Sequence, residues 1–264
     1  MNDTIKKIVE TNEGDLLERK KSTTVFEMQR VIGRLPKTWE FAGGFSEFGI
    51  IAEIKLASPS EGELADSEDV VDIAKDYKQS LPSEDGKKWG ADAISIITEK
   101  YFFKGDAKFI KLVKEKTELP VLQKDFIVDS FQIYESRING ADALLLIATI
   151  VSLEELKEFV DLCLEIGLEP VVEIHDELDL ENALQTNTKI IAVNARDLNT
   201  FKVDVERACE LLERIPDNFL KLGFSGVNSK EEVEQYRKAG ARGVLVGTSL
   251  MKSKVKKEFL EGLR

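Results

Sequence analysis

Histidine is nearly absent from this chain: His175 is the only one in 264 residues. A single imidazole excludes every mechanism that needs two, and with them a three-histidine zinc site. Cysteine is scarce as well. Cys163 and Cys209 lie far apart in segments of helical pattern, with no CxxC or other metal-ligand spacing. They read as two buried, reduced thiols of a cytoplasmic protein. Long apolar runs are missing. The longest, 143–151, falls well short of the roughly 20 residues that span a bilayer, and the first residues carry no apolar stretch of a secretory signal. Positive charge is in the minority, with 37 Lys+Arg against 49 Asp+Glu and a net charge of −12. Such a balance argues against nucleic acid or an anionic membrane as partner.

What is present is a repeat. Hydrophobic residues make up 42% of the chain, enough for an ordinary core. Eight short, β-branched, near-continuously apolar runs fall at 49–57, 91–98, 119–124, 142–148, 169–174, 190–194, 220–225 and 243–247. Continuous rather than alternating apolar character marks strands buried on both faces. Between and after them lie amphipathic segments at helical spacing: 67–79, 106–115, 130–138, 152–166, 177–185, 203–214, 229–239 and 252–263. Ser152 with Glu155 and Ser229 with Glu232 read as capping boxes, and Gly167 and Gly240 as helix stops. Eight strand–helix units predict an α/β fold, a (β/α)8 TIM barrel. An open doubly wound sheet is the competitor, but no GxGxxG follows the first strand. The expected organisation is a single barrel domain over 1–264, with 1–47 an extension of one or two helices. A polar stretch, 79–88, reads as a surface loop.

In such a barrel the active site lies at the C-terminal strand ends. Glu53 and Lys55 at the end of the first strand have the period-two spacing that places both on one side. Ser58 follows. Lys124 ends the third strand, Glu173 the fifth, Asn194 and Arg196 the sixth. Several ionisable groups at one mouth exceed what packing requires and suit acid–base chemistry. The seventh and eighth strands end in Ser225 and Gly226, and in Gly247, Thr248 and Ser249. Small residues there suit a phosphate held by backbone N–H groups. His175 reads as a capping or loop histidine.

Six stretches match a known family: IAEIKLASPSEG (51–62), TEKYFFKGD (98–106), PVLQKDFIVDSFQIYESRINGADALLLI (120–147), PVVEIHDELDL (170–180), VNARDLNTFKVD (193–204) and the closing SGVNSKEEV with GVLVGTSLM. On these the chain resembles the indole-3-glycerol phosphate synthases of tryptophan biosynthesis, which are (β/α)8 lyases with extra N-terminal helices. The resemblance implies closure, decarboxylation and dehydration of 1-(2-carboxyphenylamino)-1-deoxyribulose 5-phosphate, without cofactor or metal. It implies Lys124 as general acid for closure, with Glu173 and Lys55 sharing the dehydration in an order left open. Glu53 would hold Lys55. Ser58, Asn194, Arg196 and Ser225 would bind substrate, Phe102 would pack on its aromatic ring, and Gly226, Gly247 and Thr248 would take the phosphate. The expected partner is a small phosphorylated molecule, and the expected state a monomer.

Three departures stand out. Phe224 replaces the glutamate that the family usually carries at the end of the seventh strand. Leu56 replaces an arginine and is expected to face outward. Phe103 reads as an extra residue before Lys104. Two alternatives stay open: a phosphate-binding paralogue with weakened or lost activity, for which Phe224 speaks, and a lyase or aldolase that forms a Schiff base on a barrel lysine. An outer surface carrying most of the negative charge, around a locally basic mouth, is expected in either case.

Overall fold

The computed structural model describes residues 3–78, 90–198 and 200–264; the polar stretch 79–88 lies outside them. Eight parallel strands close into a barrel: β1 (Gly49–Ile54), β2 (Ala93–Ile97), β3 (Val121–Lys124), β4 (Ala143–Ile147), β5 (Glu169–Ile174), β6 (Ile190–Asn194), β7 (Leu220–Phe224) and β8 (Gly243–Val246). Each strand pairs with the next, and β1 closes the ring on β8, with Gly49 opposite Gly243 and Ala52 opposite Val246.

Helices α1 (Asp3–Ser22) and α2 (Val25–Ile32) precede the barrel. Around it run α3 (Val70–Tyr77), α4 (Lys108–Thr117), α5 (Ser130–Ile138), α6 (Leu153–Ile166), α7 (Glu177–Ala183), α8 (Val205–Arg214), α9 (Lys230–Lys238), α10 (Thr248–Lys252) and α11 (Lys256–Gly262). The Ser152 and Ser229 capping boxes form as expected, each closed by its glutamate. Gly167 caps α6 in the left-handed conformation at φ +84°, which a residue without a Cβ adopts at no steric cost.

Two boundaries differ from the sequence pattern. The first strand stops at Ile54, and Ala57–Ser58 pairs instead with Gly62–Glu63 as a small antiparallel ribbon over the barrel mouth. The last amphipathic stretch, 252–263, forms α11, and a further short helix, α10, precedes it directly after β8, with Ser253 extended between the two. Among the described residues no helix is long and apolar enough to cross a membrane. Cys163 is fully buried, whereas Cys209 is only half-buried on α8.

The apolar side chains form two layers. The outer one fills the space between strands and helices and includes Leu56. That residue does point away from the barrel axis, yet it is buried there. The inner layer packs the axis with Ile51, Leu122, Leu145, Val171, Leu222, Phe224 and Leu245. Burying each such side chain contributes roughly 1.5–3 kcal/mol. At the N-terminal end the turn Ala42–Phe45 plugs the barrel. Phe45 inserts with its ring 5.3 Å from that of Phe41. Gly49 and Gly243 make room for it; a Cβ on either would lie within 2.7 Å of the ring. Glu169 holds the plug by accepting the backbone N–H groups of Phe41 and Ala42.

Candidate active site

A cavity of about 300 Å³ opens at the C-terminal ends of the strands. Glu53 sits at its base, almost completely buried and between two lysines. Its Oε1 is 3.1 Å from Lys55 Nζ and its Oε2 is 3.3 Å from Lys124 Nζ. The period-two spacing at the end of β1 places Glu53 and Lys55 together, and β3, separated from β1 only by β2, brings in Lys124. Burial opposes ionisation of Glu53, but Lys124 and then Lys55 outweigh it and hold the carboxyl at about 2. Burial likewise works against the Lys124 ammonium, while Glu53 and then Glu173 raise its pKa above the ordinary lysine value. Lys124 is therefore a proton donor at neutral pH, not a free amine.

Glu173 ends β5 on the same cavity and is 1% exposed. Burial pushes its carboxyl up. His175, Lys124 and the Asn194 side chain together overcome this and bring it below the usual range. His175 lies in the short connection between β5 and α7, as expected, but it is not the cap. Asp176 caps α7, while the His175 ring is buried beside Glu173 with Nε2 3.4 Å from Oε1. The sequence showed no partner because the residues that hold the ring, Thr149 and Asp179, lie 26 and 4 positions away.

The loops after β7 and β8 are locked together at the rim. Ser249 donates to the Val227 carbonyl at 2.6 Å. Ser225 and Gly226 both have positive φ, at +68° and +77°. A Cβ at Gly226 would lie 2.5 Å from Val205. Gly247 is needed for another reason: a Cβ there would stand 2.3 Å from Glu53 Oε1. The eighth loop thus leaves room for the carboxylate that anchors both lysines. Thr248 Oγ1 accepts from Lys55 Nζ at 2.9 Å, so its oxygen already serves the lysine. Arg196 borders the cavity, its backbone N–H bonded to Asn194 Oδ1 at 3.0 Å and its guanidinium to the Phe201 carbonyl at 3.0 Å. Ser58 lies on the same wall.

The sequence put Phe102 beside the aromatic ring of the substrate. Phe103, not Phe102, lines the cavity. Glu99 is the cause. Its carboxylate accepts the backbone N–H groups of Tyr101, Phe102 and Phe103 at 2.7–2.9 Å and curls the segment around itself. Phe103 turns inward and its ring lies 6.3 Å from that of Phe126, another wall residue. The extra residue noted in the sequence is the one that reaches the site.

Two further contributors had no mark in the sequence reading. Ile5 and Ile8 of α1 lie over the cavity; their i, i+3 spacing was the available signal. Asp125 borders it too. Burial lifts the Asp125 carboxyl to about 6, against the pull of a 2.5 Å hydrogen bond from Thr98. The mouth is accordingly less basic than expected, since Lys55, Lys124 and Arg196 share it with Glu53, Glu61, Asp125 and Glu173. Phe224 is fully buried just beneath, its ring centroid 5.9 Å from Lys124 Nζ, where it contributes a cation–π contact instead of a counter-charge.

Comparison with known proteins places the chain. The family model described as "Indole-3-glycerol phosphate synthase" matches residues 5–263. A curated indole-3-glycerol phosphate synthase from Caldanaerobacter subterraneus subsp. tengcongensis is 44% identical over 217 residues, 81% of each chain. One from Campylobacter hominis is 40% identical over 90% of this chain and 86% of its own. Among solved structures, a mutant tryptophan synthase alpha-subunit from Pyrococcus furiosus superposes with a TM-score of 0.61 over 82% of this chain and 98% of its own. At 15% identity it supports the barrel fold alone. On the family match and these relatives, the chain belongs to the indole-3-glycerol phosphate synthase family.

Proposed function

We propose that this chain converts 1-(2-carboxyphenylamino)-1-deoxyribulose 5-phosphate to indole-3-glycerol phosphate, carbon dioxide and water. The observation that carries this reading, beside the family, is the Lys55–Glu53–Lys124 cluster facing Glu173 across one cavity. In the first step the ring carbon bearing the carboxylate attacks the ribulose carbonyl carbon, and Lys124 gives its proton to the carbonyl oxygen. The ring nitrogen is left cationic. Loss of carbon dioxide returns the bond's electrons to the ring and restores aromaticity. Glu53 favours the cationic stage electrostatically.

Dehydration then removes the new hydroxyl as water, with its proton supplied by Lys55, while Glu173 takes a proton from the adjacent methylene. The ionised state of Glu173 supports its role as base. Phe103 stacks beside the aromatic ring, and Arg196 faces its carboxylate. The phosphate sits against Ser225, Gly226 and Gly247, with Ser58 and Asn194 on the sugar. Thr248 steers Lys55 rather than the phosphate. The bulk negative charge opposes this anion little, being screened beyond about 8 Å at physiological salt.

Incubation with the substrate, followed by indole fluorescence, tests the reading. Product is expected from the parent and is expected to be nearly lost in Lys124→Ala. No product, or equal rates for the two proteins, would refute it. A Schiff-base lyase is disfavoured because its lysine must be a neutral amine, whereas Lys124 is held protonated. Borohydride trapping of a keto substrate on Lys124 would reverse that judgement.

A further inference from the structure

His175 lies between two carboxylates from different elements and is 6% exposed. Its Nε2 faces Glu173 Oε1 at 3.4 Å, and its Nδ1 stands 3.6 Å from Asp179 Oδ2 on α7. Thr149, just after β4, completes the surround with Oγ1 3.1 Å from Nδ1. The hydroxyl has one proton, and it donates that proton to Asp179 Oδ2 at 2.7 Å. Toward the ring it can only accept, so Nδ1 carries a hydrogen. On the other side an ionised carboxylate also only accepts, so Nε2 carries one too. These protonation states are assigned from the partners. Asp179 is itself fixed, because it accepts the His175 backbone N–H at 2.9 Å. Glu173 Oε2 and His175 Nε2 are both buried without a hydrogen-bond partner among the described residues, so ring and carboxylate meet as an ion pair across 3.4 Å while Oε2 stays open.

We propose that His175 is a positioning residue: a buried imidazolium, clamped by Asp179 and Thr149, that keeps Glu173 ionised and occupies one of its oxygens. The second oxygen is left for the substrate, which makes Glu173 the base of the dehydration. The inference rests on the ring-closure reading above. Other groups face the pair as well. Lys124 from β3 and Asn194 from β6 favour the Glu173 carboxylate, and Arg207 from α8 donates to the His175 carbonyl oxygen. The electrostatics agree with the geometry. Burial would lower the imidazole pKa, but Asp179 and Glu173 overcome this and raise it from 6.5 to about 9.

Because this is the only histidine, its imidazole C–H signals in an NMR titration need no assignment. They are expected to titrate near pH 9 in the parent and clearly lower in Glu173→Gln and in Asp179→Asn. In the fluorescence assay His175→Gln is expected to move the acid limb of kcat up by about one pH unit, a roughly tenfold loss on that limb. The loss becomes small at pH 8. Asp179→Asn is expected to shift the limb in the same direction by less, which covers the case of a poorly folded glutamine variant. A merely structural role would lower kcat by one factor at every pH and leave the limb in place. A parent ring titrating near 6.5 and unmoved by Glu173→Gln would overturn the proposal, as would an unshifted limb in both variants. If the parent made no indole product, the ring-closure reading would fail, while the titration would still decide whether the clamp exists.

Discussion

Glu53→Gln is the most informative single change. The parent carboxylate is 2% exposed and touches two ammonium groups. Its carboxyl is moved from 4.5 to about 2, a preference for the charged form of roughly 3 kcal/mol. Removing one member of a buried ion cluster typically costs ~3–5 kcal/mol, because the remaining charges stay buried without a partner. The amide keeps the shape and removes the charge. A loss of about 3 kcal/mol is therefore expected at pH 7, read by urea unfolding.

Its pH dependence is specific. A depressed carboxyl stabilises the fold fully above 4.5, and that contribution fades as the pH falls toward 2. The gap between parent and variant should narrow in this window, and again at alkaline pH as the Lys124 ammonium held by Glu53 loses its proton. The chemistry should respond too. Without Glu53, burial and Arg196 pull the Lys124 pKa down, so the alkaline limb of kcat moves to lower pH. We expect kcat to fall by about 10²-fold or more, the scale of a misplaced general acid. A variant within threefold of the parent, with an unmoved alkaline limb and unchanged stability at pH 7, would refute the view that Glu53 organises both lysines.

Gly247→Ala would place a methyl 2.3 Å from Glu53 Oε1; kcat should drop at least tenfold with a smaller effect on folding, as fluorescence kinetics and a thermal melt would report. Phe103→Ala should raise KM several-fold while Phe102→Ala leaves it nearly unchanged, and the opposite order would restore the assignment made from sequence. Phe224→Glu should raise kcat/KM by giving Lys124 a third carboxylate, beside Glu53 and Glu173. It should also lower stability by about 3 kcal/mol, through loss of a core ring and burial of a charge. An unchanged or reduced rate would show that the aromatic residue is no handicap.

Much of this was legible in the chain. Strands buried on both faces advertise themselves by unbroken apolar runs, and so the barrel and the residues at the strand ends could be placed by counting. Glu53, Lys55, Lys124 and Glu173 converge for that reason. What failed were features set by side chains reaching back to the main chain. The curl around Glu99 turned Phe103 rather than Phe102 toward the cavity, since three amide hydrogens collected on one carboxylate leave no periodic trace. The clamp on His175 depends on Thr149 and Asp179, which belong to other elements. Ile5 and Ile8 were written in a visible stripe, but nothing in the sequence says which surface the stripe covers. The basic character of the mouth was overestimated because Asp125 and Glu61, which also line it, were not set against the lysines.

The aromatic stopper formed by Phe41 and Phe45 has a kinetic consequence. With the far end sealed and the axis filled, the barrel is a vessel with one doorway. For the proposed reaction, the incoming sugar phosphate, the departing gas and water, and the bulky indole product must all queue there. A product that lingers at the rim then delays the next substrate as well as itself, so turnover is tied to how quickly that single passage clears.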